Sequence, residues 1–321
     1  MAIKEKILEI LRKEKEFVSG EAIRRSLKVS RTAVWKQVEA LREEGYRIES
    51  SPNRGYRMTQ EPDRLSEAKI LKAGPSDVSL KIQVLEETDS TNRLATEMAL
   101  KGAPEGSVVL AEQQTAGRGR LGRVWESPPH KNLYLSLILR PSIPPTATLP
   151  ITLVAGVACY EALKPEIPKG LRLKWPNDLW VGRKKIGGLL TDMEAEQDKV
   201  RFVILGVGLN LHSEASDFSK DLQPLVTSVR IETGQTPSRS EIAGRVLERL
   251  FHHYHRFVKG GFAALKDTWE RYAQMNGQRV RVDDGDRSFE GMAEGIDSDG
   301  FLLVKTPSGT ERIVAGDVHL I

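Results

Sequence analysis

The stretch Gly117-Arg118-Gly119-Arg120-Leu121-Gly122 follows a strand-like run, Ser107-Val108-Val109-Leu110-Ala111-Glu112, and its reading decides the fold. The glycine spacing satisfies Gly-x-Gly-x-x-Gly, the turn that opens the helix of a dinucleotide-binding βαβ unit. What comes next is Arg123-Val124-Trp125-Glu126-Ser127-Pro128-Pro129, a run that cannot start that helix. A doubly wound dinucleotide-binding unit is therefore excluded here. What remains is a loop whose glycines let the backbone approach a ligand, while two guanidinium groups offer fixed forks for carboxylate or phosphate. Such a loop suits an anion and is expected to stay mobile until one binds.

Further segments share this character. Leu173-Lys174-Trp175-Pro176-Asn177-Asp178 leads through Leu179-Trp180-Val181 and Gly182-Arg183-Lys184-Lys185 to Ile186-Gly187-Gly188-Leu189. Read locally this is one hairpin with Gly-Arg-Lys-Lys at its tip, Lys184 in the solvated turn and Lys185 starting the returning strand. Pro176 fixes the backbone ahead of Asn177 and Asp178, two oriented polar groups that a plain hairpin does not need. Val203 to Asn210, with Gly206 and Gly208, reads as a buried strand that admits something close. Upstream, a strand over 81–85 runs into Thr88-Asp89-Ser90-Thr91-Asn92, ahead of an amphipathic helix over 93–101. Hydroxyl and amide groups there crowd a helix N-terminus, where backbone N–H groups already favour anions. No Gly-x-x-x-x-Gly-Lys-Ser/Thr occurs, so any nucleotide must be held by another device.

The N-terminal sixth differs in charge. Residues 1–60 hold 14 Lys+Arg against 9 Asp+Glu, whereas the remaining 261 residues hold 34 against 35. All of the formal excess of +4 therefore sits on this segment, as expected for a polyanion-binding module on a neutral body. Ile3, Ile7, Leu8, Ile10 and Leu11 make one helical stripe. Ser19-Gly20 caps a short helix carrying Ala22, Ile23 and Leu27, and Ser30 caps a third helix ending at Gly45. Val34, Val38 and Leu41 face inward on that helix, leaving Arg31, Thr32, Trp35, Lys36 and Gln37 outside; Trp35 reads equally well as core. Two strands, 46–49 and 55–58, form a wing bearing Arg54 and Arg57. Two helices across a tight turn, the second presenting basic and polar groups from its first turns, predict a winged helix-turn-helix that binds DNA through Arg31, Thr32, Lys36, Gln37, Arg54 and Arg57.

At 321 residues, 39% apolar and 29% charged, the chain is an ordinary globular one with room for several domains. No apolar run reaches the roughly 18 residues of a membrane span, and the start lacks a secretory signal. Cys159 is the only cysteine and lies in an apolar stretch, so it is read as packing, and a cytoplasmic setting is expected. The boundaries read as 1–62 for the winged helix, 63–80 for a linker holding one short helix, 81–274 for the body and 275–321 for a small C-terminal domain.

Ser-Thr-Asn at 90–92, Gly-Arg-Gly-Arg-x-Gly at 117–122, Lys-Trp-Pro-Asn-Asp at 174–178, Lys-Ile-Gly-Gly at 185–188 and Gly-Val-Gly-Leu-Asn at 206–210 occur in that order. Together they resemble the biotin protein ligases, and the winged helix makes the chain similar to the bifunctional bacterial type that also represses biotin genes. The resemblance implies an α+β protein: a winged helix-turn-helix, a central mixed α/β ligase domain of the class II synthetase-like type, and an SH3-like β-barrel. The short strands expected at 278–283, 288–293, 300–305 and 311–314 agree with such a barrel. Helices over 240–259 and 262–274 are expected against the central sheet, with His252, His253 and His255 at the surface.

The implied chemistry joins biotin and ATP into biotinyl-5′-AMP and then passes biotin to a lysine of a biotin carboxyl carrier protein. Bringing a carboxylate to an α-phosphate joins two anions, so positive charge and positioning matter more than proton transfer. By resemblance Lys185, Arg118 and Arg120 are catalytic. Biotin is held by Ser90, Thr91, Asn92, Gln114, Arg118, Gly119, Arg120 and Lys185, with Gly187, Gly188 and Gly206 leaving room. Arg118, Arg120, Trp125, Asn177, Lys185 and Asn210 face the adenylate, and Asp178 orients the acceptor lysine. Leu121 stands where the family often has a basic or neutral residue. Mg²⁺ is implied by the triphosphate, with no dedicated protein ligands. The partners implied are the carrier protein, operator DNA and a second copy of the chain when the adenylate is bound, with no membrane. A ligase with a vestigial winged helix, a ligand-responsive transcription factor and a lipoate ligase stay open as alternatives.

Overall fold

Residues 3–43, 45–285 and 287–321 are described by the structure, a computed structural model. The chain divides into two compact units, Met1–Asp63 and Arg64–Ile321. In the first, helices α1 (Ile3–Lys13), α2 (Gly20–Leu27) and α3 (Arg31–Glu43) precede strands β1 (Arg47–Ser51) and β2 (Gly55–Gln60). Ser19 Oγ accepts from Ala22 N–H at 3.1 Å and Ser30 Oγ from Ala33 N–H at 3.1 Å, so both expected hydroxyl caps form. Lys28 turns the chain between α2 and α3 at φ 53°. Ile7, Leu11, Ile23, Val34, Val38 and Leu41 close a small core with Ile48 of the wing. A Cβ on Gly55 would lie 2.0 Å from Val18 O, so only glycine lets β2 bridge back to Val18.

The second unit begins with α4 (Glu67–Ala73), β3 (Lys81–Thr88), α5 (Thr91–Leu100), β4 (Ser107–Gln114), β5 (Leu133–Leu139) and α6 (Pro150–Leu163). Strands β6 (Leu171–Lys174), β7 (Asp178–Val181), β8 (Lys184–Glu196) and β9 (Lys199–Leu209) follow, then helices α7 (Val229–Thr233), α8 (Arg239–Gly260) and α9 (Ala263–Ala273). The seven strands pair in the order β3-β4-β5-β9-β8-β7-β6. Only β3 and β4 run parallel, which makes the sheet mixed. Helix α6 is apolar nearly all round and buried in the main core, packed by α8 and α9. By length and composition alone the 19 residues Pro145–Leu163 could cross a membrane, but 78% of the apolar window is buried inside the protein, as in a core helix. Helix α5 covers part of the opposite sheet face.

Three other expectations change. The hairpin read over 173–189 is a three-stranded meander, because Trp175-Pro176-Asn177 makes a turn between β6 and β7. Leu65 and Ile70, within the stretch read as a linker, are core residues of the second unit, and α4 lies along α8. His253 is not at the surface: it is 5% exposed, with Nε2 2.9 Å from Glu161 Oε2. His252 and His255 are exposed as expected.

The β7–β8 ladder carries a bulge. Asp178 pairs Gly188 and Leu179 pairs Gly187, but Trp180 then pairs Lys185, leaving Ile186 as the extra residue. The displaced backbone is taken up by the 225–227 loop, where Lys185 N–H donates to Leu225 O and Thr227 N–H to Lys185 O. The C-terminal strands β10 (Arg279–Asp283), β11 (Ser288–Ile296), β12 (Leu302–Thr306), β13 (Gly309–Ile313) and β14 (Asp317–Leu320) form an antiparallel sheet in the order β13-β12-β11-β10-β14. β14 was not anticipated. This sheet is tied to the body by the indole of Trp175, which is 1% exposed and donates to Gly300 O at 3.0 Å.

Candidate functional site

One cleft on the sheet gathers the motifs. It is lined by residues of the α5 N-terminus, the 118–126 loop, the 177–178 turn, β8 and β9, with Phe218, Leu222 and Val226 on one side and Asp317 on the other. At about 1140 Å³ of space counted to its open mouth, it is large enough for a nucleotide-sized ligand.

Its floor is a fixed polar network. Ser90 caps α5, and Thr91 N–H and Oγ1–H donate to Gln114 Oε1 at 2.9 and 3.0 Å. Gln114 Nε2 donates to Ser127 Oγ at 3.0 Å, while Asn92 Nδ2 donates to Asp192 Oδ2 at 3.0 Å. Ser136 Oγ lies 2.6 Å from Asn92 Oδ1. Ser136, Ser127 and Asp192 were missed from sequence; the one signal was Ser136, the small polar residue among the apolar and aromatic residues of β5. Part of the bonding capacity of Thr91 and Asn92 is thus spent within the protein, which holds them rigid.

The glycines divide. A Cβ on Gly206 would lie 2.3 Å from Asn92 Oδ1 and one on Gly208 2.7 Å from the Trp125 ring, so these positions admit protein side chains. Gly188 lines the cleft beside Lys185 and Trp125. Gly187 does not: its Cβ would point at Leu209 and Leu179, on the opposite face of β8. Grouping it with the ligand-facing glycines fails on strand alternation.

The 117–125 loop is itself a small folded element. Gly119 N–H donates to Arg123 O at 2.7 Å, Arg123 N–H to Arg120 O at 3.1 Å and Trp125 N–H to Gly117 O at 3.0 Å. Arg118 and Arg120 line the cleft and pair with no carboxylate among the described residues; Arg120 Nη1 donates to Asn177 Oδ1 at 3.3 Å. Arg123 forms an ion pair with Asp317 of β14. Burial pushes the Asp317 carboxyl up, but the bond from Arg123 together with the charges of Arg123, Arg120 and His319 holds it below the usual carboxylate range. At the loop tip Leu121 and Val124 are each 77% exposed.

Lys185 sits opposite. Its Nζ is 2.6 Å from Asp178 Oδ1 and 5.4 Å from the Trp125 ring centroid. Asn177 Nδ2 donates to Leu189 O at 2.7 Å, which locks the turn after Pro176. Asn210 is 2% exposed and donates to Thr227 O at 3.0 Å. Asn210 Oδ1, an acceptor, and Trp125 Nε1, a donor, are both buried and make no hydrogen bond within the protein. A cleft with spare cations, an orphaned donor and an orphaned acceptor is shaped for an anion joined to a heteroaromatic group.

Among the described residues, no group of three or more His, Cys, Asp or Glu could hold a metal ion. Of the three carboxylates lining the cleft, Asp178 and Asp317 are each engaged by a cation and Glu126 accepts from Ser219 N–H at 3.0 Å. Cys159 is fully buried, with its thiol pushed up to about 12 by desolvation, so it is no nucleophile.

On α3 of the first unit, Arg31, Thr32 and Lys36 are exposed and Gln37 half-exposed along one face, and Trp35 is exposed at 53%, so it is not core. Arg54 and Arg57 lie over the Phe17 ring at 4.4 and 4.7 Å, and Arg57 is also bonded to Glu49 at 2.8 Å.

A helix-turn-helix attached to a sheet whose cleft is built for a carboxylate and a nucleotide defines the class: an acid-activating ligase carrying a DNA-binding domain. Comparison with known proteins narrows it. Residues 84–210 match the Biotin/lipoate A/B protein ligase family, 4–57 an HTH domain and 276–320 the Biotin protein ligase C terminal domain. The chain is 39% identical over 306 residues to the bifunctional ligase/repressor BirA of Bacillus subtilis, covering 95% of this chain and 94% of that one. The biotin–[acetyl-CoA-carboxylase] ligase of Paracoccus denitrificans is 33% identical over 73% of this chain and 98% of its own. The biotin protein ligase from Aquifex aeolicus, solved in complex with biotin and ATP, aligns with a TM-score of 0.65 at 29% identity over 75% of this chain and 98% of that one. The chain belongs to the biotin protein ligase family, in the bifunctional ligase/repressor branch.

Proposed function

We propose that the cleft activates biotin with ATP and passes it to a lysine of a biotin carboxyl carrier protein, and that the winged helix represses biotin genes. What supports the site assignment most is the convergence of three cations, Arg118, Arg120 and Lys185, on one cleft where no carboxylate neutralises the two arginines. In the first step a biotin carboxylate oxygen bonds to the α-phosphorus and the bond to the pyrophosphate oxygen breaks. Two anions must meet, and the cations lower the cost of that meeting. Arg118, Gly119 and Arg120 close over the carboxylate and phosphate, and Lys185 bridges both. Ser90, Thr91, Asn92 and Gln114 hold the biotin head group against Gly206. Trp125 stacks on the adenylate, Asn210 Oδ1 accepts a bond from the base, and Asn177 steadies Arg120 near the phosphates.

In the second step the acceptor amine attacks the acyl carbon and AMP leaves. Asp178, beside Lys185, orients or deprotonates that amine. Magnesium would enter with the triphosphate as part of the substrate, held by phosphates and water.

The exposed Leu121 and Val124 give the loop a further role, in which the adenylate-ordered loop completes a dimer surface that sets two winged helices on half-sites. The setting is cytoplasmic. The deciding measurement is ATP–pyrophosphate exchange with biotin and with lipoate. Exchange with biotin alone is expected; exchange with neither acid would falsify the enzyme assignment. Sedimentation with and without biotinyl-5′-AMP tests the dimer, and equal masses would remove it.

A further inference from the structure

A second cleft lies beside the first, between β6–β7 and the C-terminal sheet, lined by Arg172, Lys174, Trp180, Arg183, Gln278 and His319. Register places it on the catalytic face. Arg172 pairs Trp180 and Lys174 pairs Asp178 across β6–β7, while Trp180 pairs Lys185 across β7–β8. Residues directly opposite in a ladder share a face. Arg172, Lys174, Asp178, Trp180 and Lys185 therefore form one continuous surface, running from the cleft to β6, the free edge of the sheet.

That surface holds unneutralised positive charge. Lys174 Nζ sits 4.4 Å from the Trp180 ring and the Arg172 guanidinium 5.9 Å from it. Neither these two nor Arg183 has an ion-pair partner among the described residues, and Arg172 Nε is buried without a hydrogen-bond partner. Arg172 Nη2 donates to Gly182 O at 2.7 Å, a backbone bond that leaves its charge unneutralised. Desolvation lowers both Arg172 and Lys174; the Arg183 charge adds to it at Arg172, whereas at Lys174 the Asp178 carboxylate opposes it. The facing acids are Asp178, already held by Lys185, Asp317, held by Arg123, and Asp283, which faces His319 at 3.7 Å.

We propose that this basic shelf docks an acidic face of the protein that brings the acceptor lysine, so that Arg172, Lys174 and Arg183 set which proteins are biotinylated. A lysine must enter beside Asp178 to reach the acyl carbon, and the shelf begins at Asp178. A carrier with carboxylates flanking its target lysine meets complementary charge there, which raises the encounter rate and fixes orientation. The proposal rests on the ligase reading above.

Three rates of the full chain test it, for the unaltered protein and for Arg183→Glu and Arg172→Gln. They are ATP–pyrophosphate exchange with biotin, release of AMP to hydroxylamine, and transfer to the biotin-accepting domain of acetyl-CoA carboxylase. Arg183 is exposed in a turn, so its replacement leaves the fold intact. The expected result is unchanged exchange and hydroxylamine release, with kcat/KM for the protein acceptor down about tenfold at low salt, mostly through KM, the gap closing near 1 M NaCl. Transfer within twofold of the unaltered protein overturns the docking face. A parallel fall with hydroxylamine overturns it too, in favour of a structural role. Absence of exchange in the unaltered protein overturns the ligase reading and the docking face with it.

Discussion

Removing the Lys185 ammonium does two things at once, and they can be separated. With Lys185 and Asp178 at 2.6 Å, this corner of the cleft has no net charge. Lys185→Ala leaves Asp178, only 16% exposed, as an unpaired anion facing two incoming anions. Losing a preorganised cation costs about 10²–10³ in rate. A carboxylate roughly 8 Å from the reacting phosphate adds about 2 kcal/mol of repulsion at an effective dielectric of about 20, or about thirtyfold. Lys185→Ala should therefore slow biotin-dependent ATP–pyrophosphate exchange by about 3 × 10³ to 3 × 10⁴. Adding Asp178→Asn restores neutrality and should recover about thirtyfold, making the double variant faster than the single one. Asp178→Asn alone should spare exchange and slow transfer to the acceptor. If the double variant is no faster than Lys185→Ala, the local charge balance does not govern adenylation and the electrostatic account is wrong.

Gly206→Ala forces Asn92 from its bonds to Ser136 and Asp192, and biotin affinity should fall about tenfold to a hundredfold, since each buried bond lost costs about 1–3 kcal/mol; unchanged affinity by titration calorimetry places biotin elsewhere. Glu112→Gln removes the carboxylate charge that lies 2.7 Å from the fully buried Arg239 guanidinium, and should cost about 3–5 kcal/mol in urea unfolding of the full chain. Arg31→Ala should weaken binding to duplex DNA and lower the slope of log K against log salt by about 0.9, whereas an unaltered slope removes Arg31 from the phosphate contacts. Asp317, depressed from its ordinary 3.8, contributes stability that is complete above pH 3.8 and lost as pH falls through the lower folded value. Thermal midpoints of Asp317→Asn should thus differ from the unaltered protein at pH 5 and converge in stronger acid.

The winged helix was legible because its signals are local: a helical stripe, two serine caps and a terminal glycine lie within a few residues of what they cap. The cleft motifs were legible as chemistry, since glycine beside arginine and proline before Asn177-Asp178 make little sense as mere scaffold. Contacts across long sequence separation were not. Asp192 reaches Asn92 and Asp317 reaches Arg123 only after β8 and β14 take their places, and no spacing announces either pair. Ile70 looked like one residue of a connector because the surface it buries belongs to α8, far along the chain. The turn at Trp175-Pro176 was hidden because Trp175 reads as a strand residue, whereas its indole is spent on Gly300.

The bulge at Ile186 has a wider meaning. Were the β7–β8 pairing to continue in step from Asp178–Gly188, Trp180 would stand across from Ile186, and the ammonium would be turned to the greasy underside of the sheet. The placement of the Lys185 ammonium in the cleft thus depends on one skipped beat in a zipper of peptide bonds. Stitching that beat back in would exchange a cation for a branched hydrocarbon without altering the composition of the strand.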